Sequence, residues 1–246
     1  MISELVLQSG MDVPFPQIGL NVHQPKIREI SFITEDNFFQ GCSILNFSKN
    51  KLLQQDKINL ENISDFEILM SIMNNKDTLA QKQSLPAKML LALLFPNCSI
   101  VYEKDIQLID EDLNIHLIDN NSFDNFKAIL IDIFNLNSNE ESIKDYNPGG
   151  QMAAKIAEKL KKGQAKKAAL NNNKNKKVSL LSRYISILSV GLQKDKNELL
   201  NYTVWQLFDE FKRYQSKVEN DFYYEAKRAG AKNIKEVDPW MRDLYS

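Results

Sequence analysis

SLLSRYISILSV at residues 179–190 and KNELLNYTVWQLFDEFKRYQSKVENDFYYEAKR at residues 196–228 are two apolar-periodic runs joined by GLQKD at 191–195. In the second run Leu200, Val204, Leu207, Phe208, Phe211, Val218 and Phe222 recur mostly three and four residues apart, which places them on one face of a helix. Leu181, Tyr184, Ile185 and Leu188 do the same in the first. Asp195, with Glu198 three residues on, has the spacing of a capping box, so 196–228 is predicted as one long helix. The two form a helical hairpin whose apolar faces need cover.

Upstream, residues 1–35 carry Pro14, Pro16 and Pro25 and are predicted as an extended arm, with a strand over the β-branched run 27–34. Residues 36–48 suggest a turn or two of helix followed by a short apolar segment. Ser64-Asp65-Phe66-Glu67 is a capping box that opens a helix with Phe66, Leu69, Met70 and Met73 on one face. Ser84-Leu85-Pro86 places Pro in a first helical turn, and the apolar run 89–95 is expected to be deeply buried until Pro96 ends it. Three short runs, 99–103, 106–109 and 114–118, separated by Lys104-Asp105 and Asp110-Glu111-Asp112, predict an antiparallel meander. A helix capped by Ser122 follows, with Phe123, Phe126, Ile129, Leu130 and Phe134 inward.

The fold class is therefore α+β. A mixed domain occupies 36–136, and a polar stretch ending in Asn147-Pro148-Gly149-Gly150 separates it from a helical domain at 147–246. With 43% hydrophobic residues and 13 Phe in 246, the chain can bury a sizeable core. The net charge of −1 provides no global attraction to nucleic acid or anionic lipid. Cys42 and Cys98 are expected to be free thiols, and the first residues show no basic-then-apolar leader pattern.

No nucleotide-cradling, nucleophile-elbow or zinc-protease motif occurs, and only 8 Gly are present, so catalytic, cofactor and metal residues are all expected to be absent. His23 and His116 stand apart from any ligand cluster, and Asp110-Glu111-Asp112 is expected to be a plain turn. A lysine cluster that includes Lys155, Lys159, Lys162, Lys166, Lys167 and continues to Lys177 could meet an acidic partner or phosphates. It lacks interleaved aromatics, so base stacking is disfavoured. The acidic entry of the 196–228 run argues against insertion into a DNA groove. Trp240, Met241, Leu244 and Tyr245 are too apolar for a free tail; they either fold back on the hairpin or anchor a partner, together with Trp205 and Phe211.

The lysine-rich run 151–170, the short run 180–188, TVWQLFDEF at 203–211, AGAK at 229–232 and Trp240-Met241 together resemble tail assembly chaperones of bacteriophages, over residues 147–246. The resemblance implies a non-enzymatic, oligomeric protein that binds a helical partner, such as the tape-measure protein, in the host cytoplasm. A structural virion component of the neck, tail or baseplate, forming a ring, is the competing expectation.

Overall fold

The computed structural model describes residues 2–47, 63–75, 78–136, 179–230 and 236–242. The predicted linker and the lysine-rich run lie outside them. The α+β class is borne out: among the described residues, helices surround two small antiparallel sheets. The order is α1 (Glu4–Ser9), β1 (Val13–Phe15), β2 (Leu20–Val22), α2 (Ile27–Ile33), α3 (Glu35–Leu45), α4 (Asp65–Asn74) and α5 (Thr78–Leu94). There follow β3 (Ser99–Tyr102), β4 (Ile106–Ile109), β5 (Ile115–Ile118), α6 (Phe123–Phe134), α7 (Leu180–Leu192), α8 (Lys196–Leu200) and α9 (Val204–Arg228).

The N-terminal stretch corrects the expectation of an extended arm. It folds as α1, a hairpin pairing Val13 with Val22 and Phe15 with Leu20, and α2. Residues 27–33 are helical because Ile27, Ile30 and Ile33, three apart, reach the core together, a spacing that alternation cannot satisfy. Glu29 closes the entry of α2 by accepting from the Lys26 amide at 2.7 Å. Residues 35–45 are one continuous helix, with Phe38, Gly41, Cys42 and Leu45 buried on a single face.

The helix at α5 begins at Thr78, ahead of the Ser84 start that its sequence suggests, and holds Pro86 in its interior. A proline there cannot donate to the carbonyl one turn back. Gly41 of α3 packs directly on this turn: a Cβ at Gly41 would lie 2.7 Å from the Pro86 carbonyl oxygen and 3.0 Å from Leu90 Cβ. The α3–α5 contact is thus set by backbone approaching backbone, and only glycine fits. In the run 89–95, Leu90, Leu91, Leu94 and Phe95 are buried while Ala92 is exposed, so the apolar segment still has an outward side.

The meander forms as its alternation predicts. Ile100 pairs with Leu108 and Leu108 with His116, which sets Ile106, Leu108 and Ile118 on the buried face. At α6 the predicted inward residues are all buried. Ser122 stands at the N-cap as expected, but its side chain makes no capping bond; Asp119 instead accepts from the amides of Asn121 and Ser122 at 3.0 and 2.9 Å.

The helical pair of the C-terminal part is present, with its second run divided. It breaks at residues 201–203 into α8 and α9, and the Asp195 side chain accepts from the Asn197 amide at 2.6 Å. The capping box belongs to α9, where Thr203 Oγ1 accepts from the Gln206 amide at 3.3 Å and Gln206 Oε1 accepts from the Thr203 amide at 2.8 Å. These helices join the rest in one core, which runs from Leu7 and Phe15 through Leu90 and Phe126 to Leu188, Trp205 and Leu207. Glu35 at the start of α3 reinforces the join. Its carboxylate accepts from the Leu180 amide at 2.6 Å and from the Ser179 hydroxyl, and so caps α7 from another part of the chain.

Gly41→Ala tests the α3–α5 crossing. Alanine adds about 1 kcal/mol of helix propensity, yet the overpacked methyl costs about 1–3 kcal/mol. We expect a lower melting temperature in thermal unfolding; a rise would show that the helices stand further apart.

Candidate interaction surface

A 25-residue helix such as α9 is about 37 Å long at 1.5 Å per residue, and its two ends have different surroundings. Val204, Trp205 and Leu207 are buried. Phe208 and Phe211 then meet Tyr184 of α7, Phe208 edge-on and Phe211 stacked at 3.8 Å between ring centroids with 6° between planes. One turn on, the Tyr214 ring lies over Gly191, where a Cβ would come within 2.2 Å of it. At Leu192 α7 ends, and the stripe on α9 loses its cover. Val218 is 45% exposed and Phe222 71%.

Phe211, Tyr214, Val218 and Phe222 lie within about 80° of one another at 100° per residue, so the exposed pair continues the same stripe that builds the core. Asn220 is two residues from each of Val218 and Phe222, about 200° away around the axis. There its amide Nδ2 donates to the Ser216 carbonyl at 3.1 Å and to the Asp238 carbonyl at 2.6 Å. Residues 236–242 therefore lie on the opposite side of α9, with 236–239 forming an open recess together with Tyr223, Tyr224 and Lys227. Within that segment Asp238 pairs with Arg242.

These positions sort the residues expected to bind a partner. Trp205 is 3% exposed and lies in the core, and Phe211 is half-buried and stacked on Tyr184, so neither stands on the exposed part of the stripe. Trp240 is 38% exposed and Met241 74%, and they sit on the segment held by Asn220, away from the Val218–Phe222 stripe. Leu244 and Tyr245, like Lys155, Lys159, Lys162, Lys166 and Lys167, lie outside the described residues. The exposed pair Val218 and Phe222 was visible in the sequence as part of the apolar stripe, but nothing in the sequence marked where the cover ends.

A second apolar area covers the outer face of the meander. Ile115 and Leu117 are exposed on the edge strand β5, beside half-buried Ile109 and Val101. Burial pushes the Cys42 thiol up to about 12, which keeps it protonated and unreactive. Among the described residues no group of three potential ligands could hold a metal ion, and no helix is long and apolar enough to cross a membrane.

Compared with protein-family models, with curated proteins and with solved structures, the chain matches none.

Two phenylalanines on one stripe provide an internal control. Phe211→Ala removes a stacked, half-buried ring and should cost about 2–4 kcal/mol of stability. Phe222→Ala should change stability by no more than about 0.5 kcal/mol. Equal melting-temperature losses for the two variants would show that the outer half of α9 is covered after all.

Proposed function

We propose that this chain is a non-enzymatic assembly adaptor, which holds a helical protein partner along the uncovered turns of α9. One observation carries this reading: the amphipathic stripe of α9 extends beyond the helix that covers it and leaves Val218 and Phe222 in solvent. An amphipathic partner helix with apolar residues at i, i+3 and i+4 would continue the packing that α7 provides up to Gly191. Burying a side chain such as Phe222 is worth about 1.5–3 kcal/mol, enough to make it an anchor.

The resemblance of residues 147–246 to phage tail assembly chaperones supplies the class of partner. Long helical tape-measure proteins expose apolar stripes that self-associate unless they are held, and an adaptor would shield them until the tail tube encloses them. The lysines from Lys155 to Lys177 would add long-range attraction for acidic segments, a contribution that salt weakens.

Phe222→Asp is the direct probe, in a chain coexpressed with phage tail genes, a tape-measure gene among them, and recovered through a tag. The unsubstituted chain should bring down the tape-measure protein. The variant should lose at least about tenfold in affinity, or 1.4 kcal/mol, with its melting temperature unchanged. Recovery within a stable particle ring would favour the structural virion component instead. Recovery of neither would defeat both.

A further inference from the structure

The two histidines of the chain, far apart in sequence, hold the same element. His23 follows β2 at the base of the β1–β2 hairpin. Its Nδ1 lies 2.8 Å from Asp12 Oδ1, just before β1, and its Nε2 lies 3.1 Å from Glu29 Oε2 in α2. His116, in β5, reaches the other end of the hairpin. Its Nδ1 lies 2.7 Å from the carbonyl oxygen of Ile18, in the turn, and its Nε2 lies 3.0 Å from Asp110 Oδ2.

All four partners are acceptors that have no proton to give while the carboxylates are ionised. A neutral imidazole has one N–H, so it satisfies one partner and turns a lone pair toward the other. Only the imidazolium donates to both. We propose that the β1–β2 hairpin is a pH-sensitive clamp, fastened at its base by His23 and at its turn by His116 while both rings carry two protons, and loosened at the turn and base as they deprotonate.

The surroundings agree in direction. Burial alone would lower the His23 pKa, but the bonds and charges of Asp12 and Glu29 outweigh it and raise it above its ordinary value. Lys26, the cap residue of α2, is the nearby cation and acts on Glu29; the end of α5 contributes only the Leu94 carbonyl, which accepts from the His23 amide. For His116, the bond to Asp110 and then the bond to the Ile18 carbonyl raise the pKa. Asp110 is pulled down to about 2, first by His116 and then by Asn114, whose side chain bonds the same carboxylate at 3.0 Å. Glu111 and Asp112 share that turn.

The sign follows from linkage. A histidine with a raised folded-state pKa contributes its full stabilisation below the unfolded value near 6.5, and loses it as pH climbs through the folded value. Glu29 and Asp110 behave oppositely, and their contribution is lost only as pH falls toward their lowered values. The clamp is therefore closed below pH 6.5 and opens as pH rises through the raised histidine values. The hairpin stays attached even then, because Phe15 and Val22 are fully buried and Phe15 stacks on Phe126 at 5.9 Å. What loosens is its turn, residues 16–19, and the bonds that His23 makes at its base.

Histidine NMR titration and amide hydrogen exchange on the full chain test this. Both imidazoles should titrate above pH 6.5. Protection factors at the Ile18 and Gly19 amides, which bond the Phe15 carbonyl at 3.2 and 3.1 Å, should fall at least about tenfold between pH 6 and pH 8.5. Those at Leu91 and Leu130 should hold. In His116→Gln the pH dependence at Ile18 and Gly19 should flatten; if that variant does not fold, the titration of the unsubstituted chain decides alone. Either imidazole titrating at or below 6.5, or hairpin protection that stays constant with pH, overturns the clamp.

Discussion

The start of α9 is the constraint on which the rest of the structure depends. Thr203 is the cap of α9 and Lys26 the cap of α2, and the two pair as an isolated antiparallel bridge, with the Ile27 amide donating to the Tyr202 carbonyl at 2.9 Å. Gln206 completes the Thr203 capping box with its oxygen and uses its nitrogen to donate to the Gln8 carbonyl, at 2.5 Å, near the end of α1. Gly10, at φ 67°, brings the chain so close that a Cβ would stand 3.2 Å from both Thr203 and Gln206. Helix ends leave four amides and four carbonyls unpaired, and burying them unpaired is expensive. Here the ends of three helices satisfy one another, so the junction is buried at no such cost, and α9 leaves it in one fixed direction.

That direction determines what the two halves of α9 do. Its first turns enter the common core, where Val204, Trp205 and Leu207 are buried. Tyr184 and Gly191 then match successive turns of the stripe, the first by ring stacking and the second by having no side chain at all. Since α7 is 13 residues long and α9 is 25, the longer helix must outrun its cover. The exposed turns result from a mismatch in length between two correctly packed helices. They are not a defect in amphipathicity.

Local rules were legible wherever the deciding contacts lay close in sequence. The Ser64 capping box forms as spelled, with Glu67 returning to the Ser64 amide at 2.8 Å. The middle strand of the meander runs from the residue after Asp105 to the residue before Asp110, as the turn residues mark it. Residues 27–33 were misread because dense β-branching suits a strand, whereas burial of Ile27, Ile30 and Ile33 against other helices made the choice. The Thr203–Gln206 box is present in the letters T-V-W-Q, but Asp195 and Glu198 offer the same spacing eight residues earlier. Other features were out of reach. Glu35 caps a helix 145 residues away and His116 bonds a carbonyl 98 residues away, and no spacing rule encodes such partners. Of the candidate contact residues, Trp205 and Phe211 are large aromatics, which serve a core as well as an interface.

The outer half of α9 is held by means that operate within the helix. Gln215 bonds Glu219 at 3.0 Å and Lys217 pairs with Asp221 at 2.7 Å, both at a spacing of four. Such pairs are worth about 0.2–0.5 kcal/mol each, far less than the core contacts that hold the first half. Asn220 adds a tether to residues 236–242 on the far side. Stability therefore declines along the helix from the Thr203 junction outward, and the turns around Val218 and Phe222 belong to the segment that opens most easily. A partner that lays an apolar helix on this stripe would gain the burial of Phe222 and would also order the turns that carry it. Part of the binding energy goes into that ordering, which would keep such a contact reversible.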